Sequence, residues 1–463
     1  MGRLVLLLLG LCLGVPALAA EPDERWPALS YDTRGDTSAE VEALKARVDA
    51  GFWLETGDAL LVVAPGAVHA ALARHGKAAA GHGLLRASEL FLLPMGCEVD
   101  AHQVPNPIAV IGRHALVRMP PALAARVPDA QAVKPDSVLA REVRTDVVRK
   151  RAADPAVAAI VAQVDAGRWF SRVQTLSSFD RSSLGATDGV NPGIGEIDAA
   201  RDWLRAQFEG LGYTVATPAF VQGNFRPSNV IATRPGTTLA GEWVLVGGHY
   251  DSRNGNGEPS NTVANTPGAE DNASGCAGVL ELATIFANVP TRRTLVFACY
   301  AGEEQGLFGS TNHMQTLSAS GDLSRIRLAM IMDMIGFSAD SDLDVLLETS
   351  SQPAQAGVLS TFSQLATDYA PGLRAMLDTN PCCSDHMPWI NQNVPALLTI
   401  ENDWNLYPHY HRTTDIPANM TNAQAMAGLI LRMNTAALAT YAQLAELPLF
   451  TSGFEVATPN TLR

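Results

Sequence analysis

The sequence has few basic residues. Its 33 Lys and Arg stand against 47 Asp and Glu among 463 residues, for a formal net charge of −14. Nucleic-acid binding depends on clustered Lys and Arg, so this balance argues against a nucleic-acid partner. Charged residues make up only 17% of the chain and hydrophobic residues 47%. That composition is typical of a globular protein with a large buried core and excludes a disordered chain.

Long apolar runs are also missing, because none reaches the ~20 residues that a membrane-spanning helix needs. The nearest is residues 4–15, which follow Arg3 and precede the small residues at 17–20. This order is typical of a secretory signal peptide. We therefore predict a cleaved signal peptide over residues 1–20 and an exported protein, periplasmic or extracellular, without a membrane span.

Cysteine is scarce, with six in the whole chain and no C-x-x-C pair. The missing pair argues against a structural zinc–cysteine site. Removal of residues 1–20 leaves five cysteines, namely Cys97, Cys276, Cys299, Cys382 and Cys383. Disulfides are permitted in an exported protein, but an odd number leaves at least one thiol free or paired between chains.

Composition divides the mature chain into three parts. Residues 21–150 combine a helical pattern with short apolar runs broken by glycine and proline, which indicates a small α+β domain. Residues 141–154 are rich in charge and predict a helical connector or an exposed linker open to proteolysis. The N-terminal block is therefore either a propeptide removed at this linker or a retained accessory domain. Residues 448–463 are a short C-terminal tail.

Residues 151–447 alternate apolar strands with amphipathic helices. The pattern predicts helices at 197–211, 274–287, 353–369 and 422–444. It predicts strands at 243–247, 294–298, 328–332, 345–347 and 395–400. Continuous apolar strands separated by helices indicate an α/β protein with a mixed, mostly parallel sheet flanked by helices, in addition to the small α+β N-terminal domain.

Polar side chains follow three of these strands at the point where each ends. His249 and Asp251 follow the first, Glu303 and Glu304 the second, and Asp333 the third. In open α/β sheets, sites form at the carboxyl ends of the strands. We therefore expect these side chains to meet at one edge of the sheet.

Two more polar groups complete the pattern. Asp271 precedes a predicted helix, and His411 lies in a polar loop between the last strand and the last helix. Asp333 ends an apolar run and needs a partner, because an unpaired buried carboxylate is costly. Two His, two Asp and one Glu suit zinc or manganese, so the sequence predicts a metal site.

Six motifs carry this pattern in one order: GGHYDS at 247–252, PGAEDNASG at 267–275, YAGEEQGLFGS at 300–310, MDM at 332–334, CSDHMPW at 383–389 and YHRTTD at 410–415. The set resembles the di-zinc exopeptidases of peptidase family twenty-eight, the family of secreted bacterial leucyl aminopeptidases. The resemblance covers roughly residues 155–447 and implies a zinc-exopeptidase-like catalytic domain over 151–447, with two Zn²⁺ per chain.

The resemblance also implies a role for each polar residue. His249 and Asp333 would bind one metal, Glu304 and His411 the other, and Asp271 would bridge them. Glu303 would be the general base that activates a water bridging the metals, with Asp251 hydrogen-bonded to the far nitrogen of His249. The Asp271–Asn272 peptide matches the family's cis bond.

The expected activity is hydrolysis of the N-terminal peptide bond of peptides by an exported zinc aminopeptidase. Apolar residues flanking the motifs predict a pocket for a hydrophobic first residue such as leucine, formed by Ile335, Met387, Trp389 and Tyr407. A related metallo-carboxypeptidase or dipeptidase is the alternative, followed by a glutaminyl-cyclase-like transferase. The sequence predicts no particular oligomeric state.

One motif departs from the family pattern. The archetypal secreted aminopeptidases have two cysteines four residues apart, with a tyrosine between them that helps to hold the oxyanion. Cys383 matches the second cysteine, but Thr379 stands at the first and Pro381 at the tyrosine. Cys382 and Cys383 either form a vicinal disulfide or leave one thiol free. Tyr300, Tyr407 and Tyr410 are the candidate replacements for the tyrosine.

Overall fold

The computed structural model describes residues 24–74, 79–95, 104, 106–144, 150–186, 196–255 and 264–445. The predicted signal peptide, the C-terminal tail and Cys97 lie outside the described residues, as does the linker segment 145–149. Among the helices of the described ranges, none has the length and apolar character needed to cross a membrane.

The described residues form seventeen strands. They are β1 Trp26–Asp32, β2 Phe52–Gly57, β3 Ala59–Val63, β4 Ala79–Leu85, β5 Leu90–Pro94, β6 Ala109–Ile111, β7 His114–Arg118, β8 Gln131–Ala132, β9 Ser137–Glu142, β10 Thr214–Ala216, β11 Val230–Arg234, β12 Leu239–His249, β13 Arg293–Tyr300, β14 Ile326–Met332, β15 Asp344–Glu348, β16 Arg374–Asp378 and β17 Ala396–Glu401.

The same residues form eleven α-helices. They are α1 Ser38–Lys45, α2 Gly66–Ala73, α3 Pro121–Ala124, α4 Pro155–Val161, α5 Ala166–Leu176, α6 Ile197–Gly210, α7 Gly275–Phe286, α8 Phe308–Ser320, α9 Val358–Tyr369, α10 Met387–Ile390 and α11 Ala423–Ala442.

All nine elements predicted within residues 151–447 are present, and their ends differ from the predicted ends by a few residues. Helix α6 buries Ile197, Ala200, Leu204 and Phe208, the spacing of one helical face. The helix predicted from residue 353 begins at Val358 instead, because Gly357 at φ 83° separates it from a preceding 3₁₀ turn. Helices α4, α5, α8 and α10 and strands β10, β11 and β16 were not among the predicted elements.

Thirteen strands form one mixed sheet in the order β10-β11-β13-β12-β14-β17-β15-β16-β9-β2-β3-β1-β4. Strands β13, β12, β14 and β17 are parallel neighbours at its centre. Their side chains alternate between two hydrophobic clusters, with Val244 and Val246 on one face and Leu245 on the other. Because both faces are covered, the central strands carry continuous apolar runs, as the sequence predicted.

The N-terminal block extends this sheet. Strand β9 pairs antiparallel with β16 and parallel with β2, so strands on both sides of the 150/151 boundary share one sheet. The prediction of a helical connector or linker from residue 141 was therefore wrong at its start, because Arg141 and Glu142 are the last residues of β9. Pairing with a distant strand overrides the local charge pattern that suggested a connector.

A second, four-stranded sheet of order β6-β7-β5-β8 also lies in the N-terminal block. Its Phe91, Ala115 and Val117 belong to the same hydrophobic cluster as Trp404 and Tyr407 of the catalytic block. The small α+β domain thus packs against the part of the catalytic block that follows the last strand, β17.

Candidate metal centre

The predicted ligands meet at the carboxyl edge of the central strands. His249 is the last residue of β12, Glu303 and Glu304 lie just beyond β13, and Asp333 comes directly after β14. These three strands are adjacent and parallel, so their ends share one edge. Asp271 precedes α7 and completes this side of the cluster.

Asp271 lies between the two histidines. Its Oδ1 is 3.2 Å from Nε2 of His249, and its Oδ2 is 2.9 Å from Nε2 of His411. His249 Nε2 is also 3.4 Å from Oδ1 of Asp333, and His411 Nε2 is 3.3 Å from Oε2 of Glu304. The structure therefore pairs His249 with Asp333 and His411 with Glu304 around a shared Asp271.

The contacts among these side chains leave several buried polar atoms without a hydrogen-bond partner, as is expected at a metal site. All five are buried, and no hydrogen-bond partner satisfies Nε2 of His249, Oε1 of Glu304 or Oδ1 of Asp333. Buried polar atoms are normally satisfied. Burial alone would lower the pKa of His249, but the carboxylates of Glu303 and Asp333 raise it well above its usual value. The cluster is thus short of positive charge, which a cation would supply.

Two groups of described residues place three ligand atoms close enough for one ion, namely His249 with Asp271 and Glu304, and His249 with Glu303 and Asp333. The second group includes Glu303, whose Oε2 is 3.9 Å from Nε2 of His249. Burial raises the pKa of Glu303 well above its usual value, opposed by His249 and assisted by Glu304. Glu303 therefore lies inside the cluster.

Asp251 holds the backbone of the turn that carries Glu303 and Glu304. It accepts backbone hydrogen bonds from Glu303 at 3.2 Å and Glu304 at 3.4 Å, and a third from the hydroxyl of Ser183 at 3.1 Å. The carboxylate of Asp251 lies 3.5 Å from Nδ1 of His249, but the backbone oxygen of Asp251 is closer, at 3.1 Å. The backbone oxygen is thus the nearer partner of the far nitrogen, and the carboxylate mainly holds the Glu303–Glu304 turn.

The segment that carries Asp271 is fixed by residues that the sequence interpretation missed. Asp415 accepts hydrogen bonds from the backbone N–H groups of Glu270 and Asp271, at 2.9 and 3.0 Å, and Tyr407 donates to it at 2.7 Å. The Asp271–Asn272 peptide is cis, as the resemblance implied. Asp415 stands in the YHRTTD motif, but no local pattern shows which backbone it holds.

Arg181 is a second missed residue, and it is fully buried. Its guanidinium donates to the carbonyl oxygens of Tyr250, Pro267 and Gly268 at 2.6 to 2.7 Å. Burial lowers its pKa to about 10. Arg181 ties the turn after β12 to the loop before Asp271, and a lone arginine far from every motif offers no sequence signal of this role.

Arg253 lies against the other ligand pair. Its Nε is 3.0 Å from Oε2 of Glu304, and its Nη2 is 2.7 Å from Nδ1 of His411. A guanidinium only donates, so Nδ1 of His411 is the acceptor in this arrangement and Nε2 carries the hydrogen. At His249 the arrangement differs, because Nδ1 faces a carbonyl oxygen and therefore carries a hydrogen.

Two disulfides join the described cysteines, Cys276–Cys299 and the vicinal pair Cys382–Cys383. The second is one of the two alternatives left open by the sequence. Ser384, the next residue, donates to Oδ2 of Asp333 at 2.7 Å. The loop that carries the vicinal disulfide therefore reaches a predicted metal ligand.

The predicted pocket residues do not share one surface. Ile335 and Trp389 are fully buried and lie in different hydrophobic clusters. Tyr407 is also buried, with its hydroxyl on Asp415 and its ring 4.7 Å from that of Phe337. Met387, the first residue of α10, is the one member of the predicted set with partial exposure.

The three candidate tyrosines have different partners. Tyr300 is fully buried, with its hydroxyl 3.1 Å from Nδ1 of His313. Tyr407 donates to Asp415. Tyr410 stacks on the ring of His411 with the centroids 3.7 Å apart. Tyr410 thus stacks on a predicted ligand, while Tyr300 is the cross-strand neighbour of another, His249.

A mixed sheet with paired acidic and histidine side chains at its carboxyl edge is an arrangement suited to metal-dependent hydrolysis. Residues 229–433, which contain all five predicted ligands, match the model described as Peptidase family M28. This segment of the chain belongs to peptidase family M28, the family that the six motifs indicated.

Curated relatives match the same part of the chain. A probable zinc metalloprotease of Pyrenophora teres f. teres is 39% identical over 201 residues, which are 40% of this chain and 41% of that protein. A probable zinc metalloprotease of Pyricularia oryzae is 36% identical over 211 residues, 42% of this chain and 40% of that protein. The chain thus spans about four tenths of the length of these relatives.

Solved structures share the fold over a longer stretch. The Legionella pneumophila LapA aminopeptidase is 16% identical, with a TM-score of 0.51 over 90% of this chain and 99% of that one. LapB from the same organism is 18% identical, with a TM-score of 0.51 over 91% of this chain and all of that one. The overlap is too long for the catalytic block alone, so the shared fold includes N-terminal strands.

Proposed function

We propose that this protein is a zinc-dependent aminopeptidase that removes the first residue of peptides. The observation that carries the proposal is the buried cluster in which Asp271 lies between His249 and His411, with Asp333 and Glu304 beyond them. Membership of the segment in peptidase family M28 supports a peptidase, and relatives named as probable zinc metalloproteases support zinc.

The ligand set supports two zinc ions per chain. His249 and Asp333 would hold one ion, Glu304 and His411 the other, and Asp271 would bridge them through its two oxygens. When bound, such a pair polarises the scissile carbonyl and lowers the pKa of water in the site. Imidazole and carboxylate are the ligands that zinc prefers where no cysteine is present.

Glu303 would carry the proton in this reaction. It lies within the cluster yet is not needed to complete either ligand pair, so its carboxylate could accept a proton from the attacking water and donate it to the leaving amine. Asp251 fixes the backbone of Glu303 and Glu304 and so determines where this carboxylate lies. The role proposed for Glu303 is the one that the sequence resemblance implies, whereas the resemblance placed the carboxylate of Asp251 on His249.

The proposed preference for a free amino terminus follows the resemblance to the aminopeptidases. The charge of the site does not decide it, because two zinc ions would balance the four buried carboxylates of Asp271, Glu303, Glu304 and Asp333. A hydrophobic first residue such as leucine would then contact the apolar surroundings, for which Met387 is the most accessible of the predicted residues. Ile335 and Trp389 are buried and would contribute only by supporting the side chains that line the pocket.

We also propose that the protein is exported after cleavage of residues 1–20. Its two disulfides support an oxidising compartment, because structural disulfides are rare in reducing ones. N-terminal sequencing of the secreted protein is the test. A mature chain that starts near residue 21 is expected, and one that starts at Met1 contradicts export by this route.

One paired assay tests the function. The purified protein is given a fluorogenic leucine amide and its N-acetylated twin, with and without a zinc chelator. We expect cleavage of the free-amine substrate alone, abolished by the chelator and restored by zinc. Cleavage of a dipeptide only when its carboxyl end is free would indicate the carboxypeptidase or dipeptidase instead, and a single zinc per chain with no cleavage would indicate the transferase.

A further inference from the structure

We propose that Arg113, from the N-terminal block, is a positioning residue for the metal ligand Asp333, so that the N-terminal domain completes the metal centre. The inference rests on the proposed function, since it treats Asp333 as a ligand. It selects the second interpretation of the N-terminal block, a retained domain.

Arg113 lies in the turn between β6 and β7, yet it reaches the edge of the catalytic sheet. Its side chain is only 2% exposed. Nη2 donates to the backbone oxygen of Cys383 at 3.0 Å, and Nη1 lies 3.9 Å from Oδ2 of Asp333. Ser384 donates to the same oxygen at 2.7 Å. Arg113 thus contacts both Asp333 and the loop that holds it.

The turn that carries Arg113 has little freedom to move. Trp404 donates from Nε1 to the backbone oxygen of Gly112 at 3.3 Å, and the guanidinium of Arg113 lies 4.9 Å from the centre of the Trp404 ring. Gly112 has φ 54°, and a Cβ atom there would stand 1.9 Å from Oδ2 of Asp378. The close approach requires glycine, and it fixes where the next residue points.

The contacts of Asp333 are divided between its two oxygens. Oδ1 faces Nε2 of His249 at 3.4 Å, while Oδ2 faces Ser384 and Arg113. Holding Oδ2 fixes the orientation of Oδ1 toward the place where a metal would bind. Partners of this kind, which orient a ligand without binding the metal, commonly contribute about 10- to 100-fold to metal affinity.

The block that supplies Arg113 is joined to the catalytic block by more than the chain. Residues Ala140, Arg141 and Glu142 of β9 pair with β16. Arg374, on β16, forms an ion pair with Glu142 at 2.8 Å. A cut in the linker would leave these contacts in place, so we expect the two parts to stay associated.

The test compares zinc binding by the full-length chain and its variants in a titration with a competing chelator. We expect Arg113→Met to weaken the binding of one of the two zinc ions by about 10- to 100-fold and to leave the affinity for the other unchanged. Arg113→Lys, which keeps the charge, should recover part of the loss. Ser384→Ala, which removes the other partner of Oδ2, should weaken the same ion.

Arg144→Met is the matched control. Arg144 is a buried arginine of the same block, but its hydrogen bonds go to Thr33 and Asp36 within that block. Melting curves of the zinc-free proteins identify any variant that fails to fold. The proposal is wrong if Arg113→Met is folded and binds both ions as tightly as the unmodified protein. It is also wrong if the peptidase activity of the variant rises, which is what an inhibitory N-terminal propeptide would predict.

A second experiment tests the retained domain. A protease site inserted after Lys150 allows the full-length protein to be cut, and gel filtration then shows whether the parts separate. Co-elution with both zinc ions is expected. Separation with both ions kept by the catalytic part overturns the proposal. Zinc binding needs no substrate, so a protein that binds two ions but cleaves no peptide disproves the aminopeptidase and not the role of Arg113, whereas one that binds no zinc overturns both.

Discussion

The two ligand pairs around Asp271 differ in the hydrogen-bond partner of the histidine Nδ1 atom. His249 directs Nδ1 at the backbone oxygen of Asp251, which leaves Nε2 available for a metal. His411 directs Nδ1 at Arg253, so that Nε2 carries the hydrogen. The far nitrogen of His249 thus donates and that of His411 accepts, so binding of a metal at Nε2 of His411 would require the hydrogen to leave that nitrogen.

The arginines repeat this difference. Arg113 contacts the oxygen of Asp333 that faces away from His249, so it can support the ligand without competing with a metal. Arg253 contacts Oε2 of Glu304, the oxygen that faces Nε2 of His411, and it also contacts Nδ1 on the far side of the His411 ring. One arginine therefore orients a ligand, and the other occupies part of the space and charge that a metal would take.

Replacing Asp271, the ligand that both pairs share, should impair metal binding at both pairs. We expect Asp271→Asn to weaken both zinc ions by more than ~100-fold, because Asp271 contacts both histidines and its charge would balance both metals. Zinc content measured after dialysis, together with the leucine amide assay, checks this. If one ion is retained at full occupancy, Asp271 does not bridge the pairs.

Replacing one unshared ligand should separate the pairs. Asp333→Asn and His411→Asn are each expected to lower the zinc content from about two ions per chain to about one, since each removes one ligand of a single metal. Combining the substitutions should remove both ions. Additive loss by elemental analysis supports two pairs, and loss of both ions from either single variant would show that the pairs are not independent.

Glu303 belongs to neither pair, so its replacement should affect the reaction and not the metals. We expect Glu303→Gln to lower kcat by about 10²- to 10⁴-fold, the usual contribution of a general base, with the zinc content unchanged. Glu209→Gln, on the outer surface of α6, is the matched control. A loss of zinc from the Glu303 variant would instead identify Glu303 as a ligand.

The smallest expected effect concerns Arg253. Removing a positive charge beside Glu304 and His411 should strengthen zinc binding on that side by at least ~1 kcal/mol, a factor of about five. Chelator titration of Arg253→Met against the exposed Arg205→Met measures it. Weaker binding in the Arg253 variant would mean that Arg253 orients its ligands, as we propose for Arg113, and the contrast between the two arginines would disappear.

Much of the ligand cluster could be predicted because each member follows a recognisable local pattern. His249, Glu304 and Asp333 come after apolar strands, and parallel strands bring their carboxyl ends to one edge. The order of the six motifs then indicated the family. Their roles in catalysis remain predictions until they are measured.

The substrate side was predicted less well, for a different physical reason. An apolar residue near a motif can face the site or the core, and local sequence does not distinguish the two. Ile335 and Trp389 are core residues, and Tyr407 holds Asp415. Only packing among distant elements decides which apolar side chains stay accessible.

Periodicity and strand-end chemistry are local properties, so the sequence was sufficient for the alternating helices and strands, the set of candidate metal ligands and the family. Contacts between distant segments were decided by the tertiary structure alone. They include the position of Arg181, the hold of Asp415 on Asp271, the disulfide between Cys276 and Cys299, and the pairing of β9 with β16. Arg113 is the clearest case, because its partners Cys383 and Asp333 lie more than two hundred residues away and meet it only once the sheet has formed.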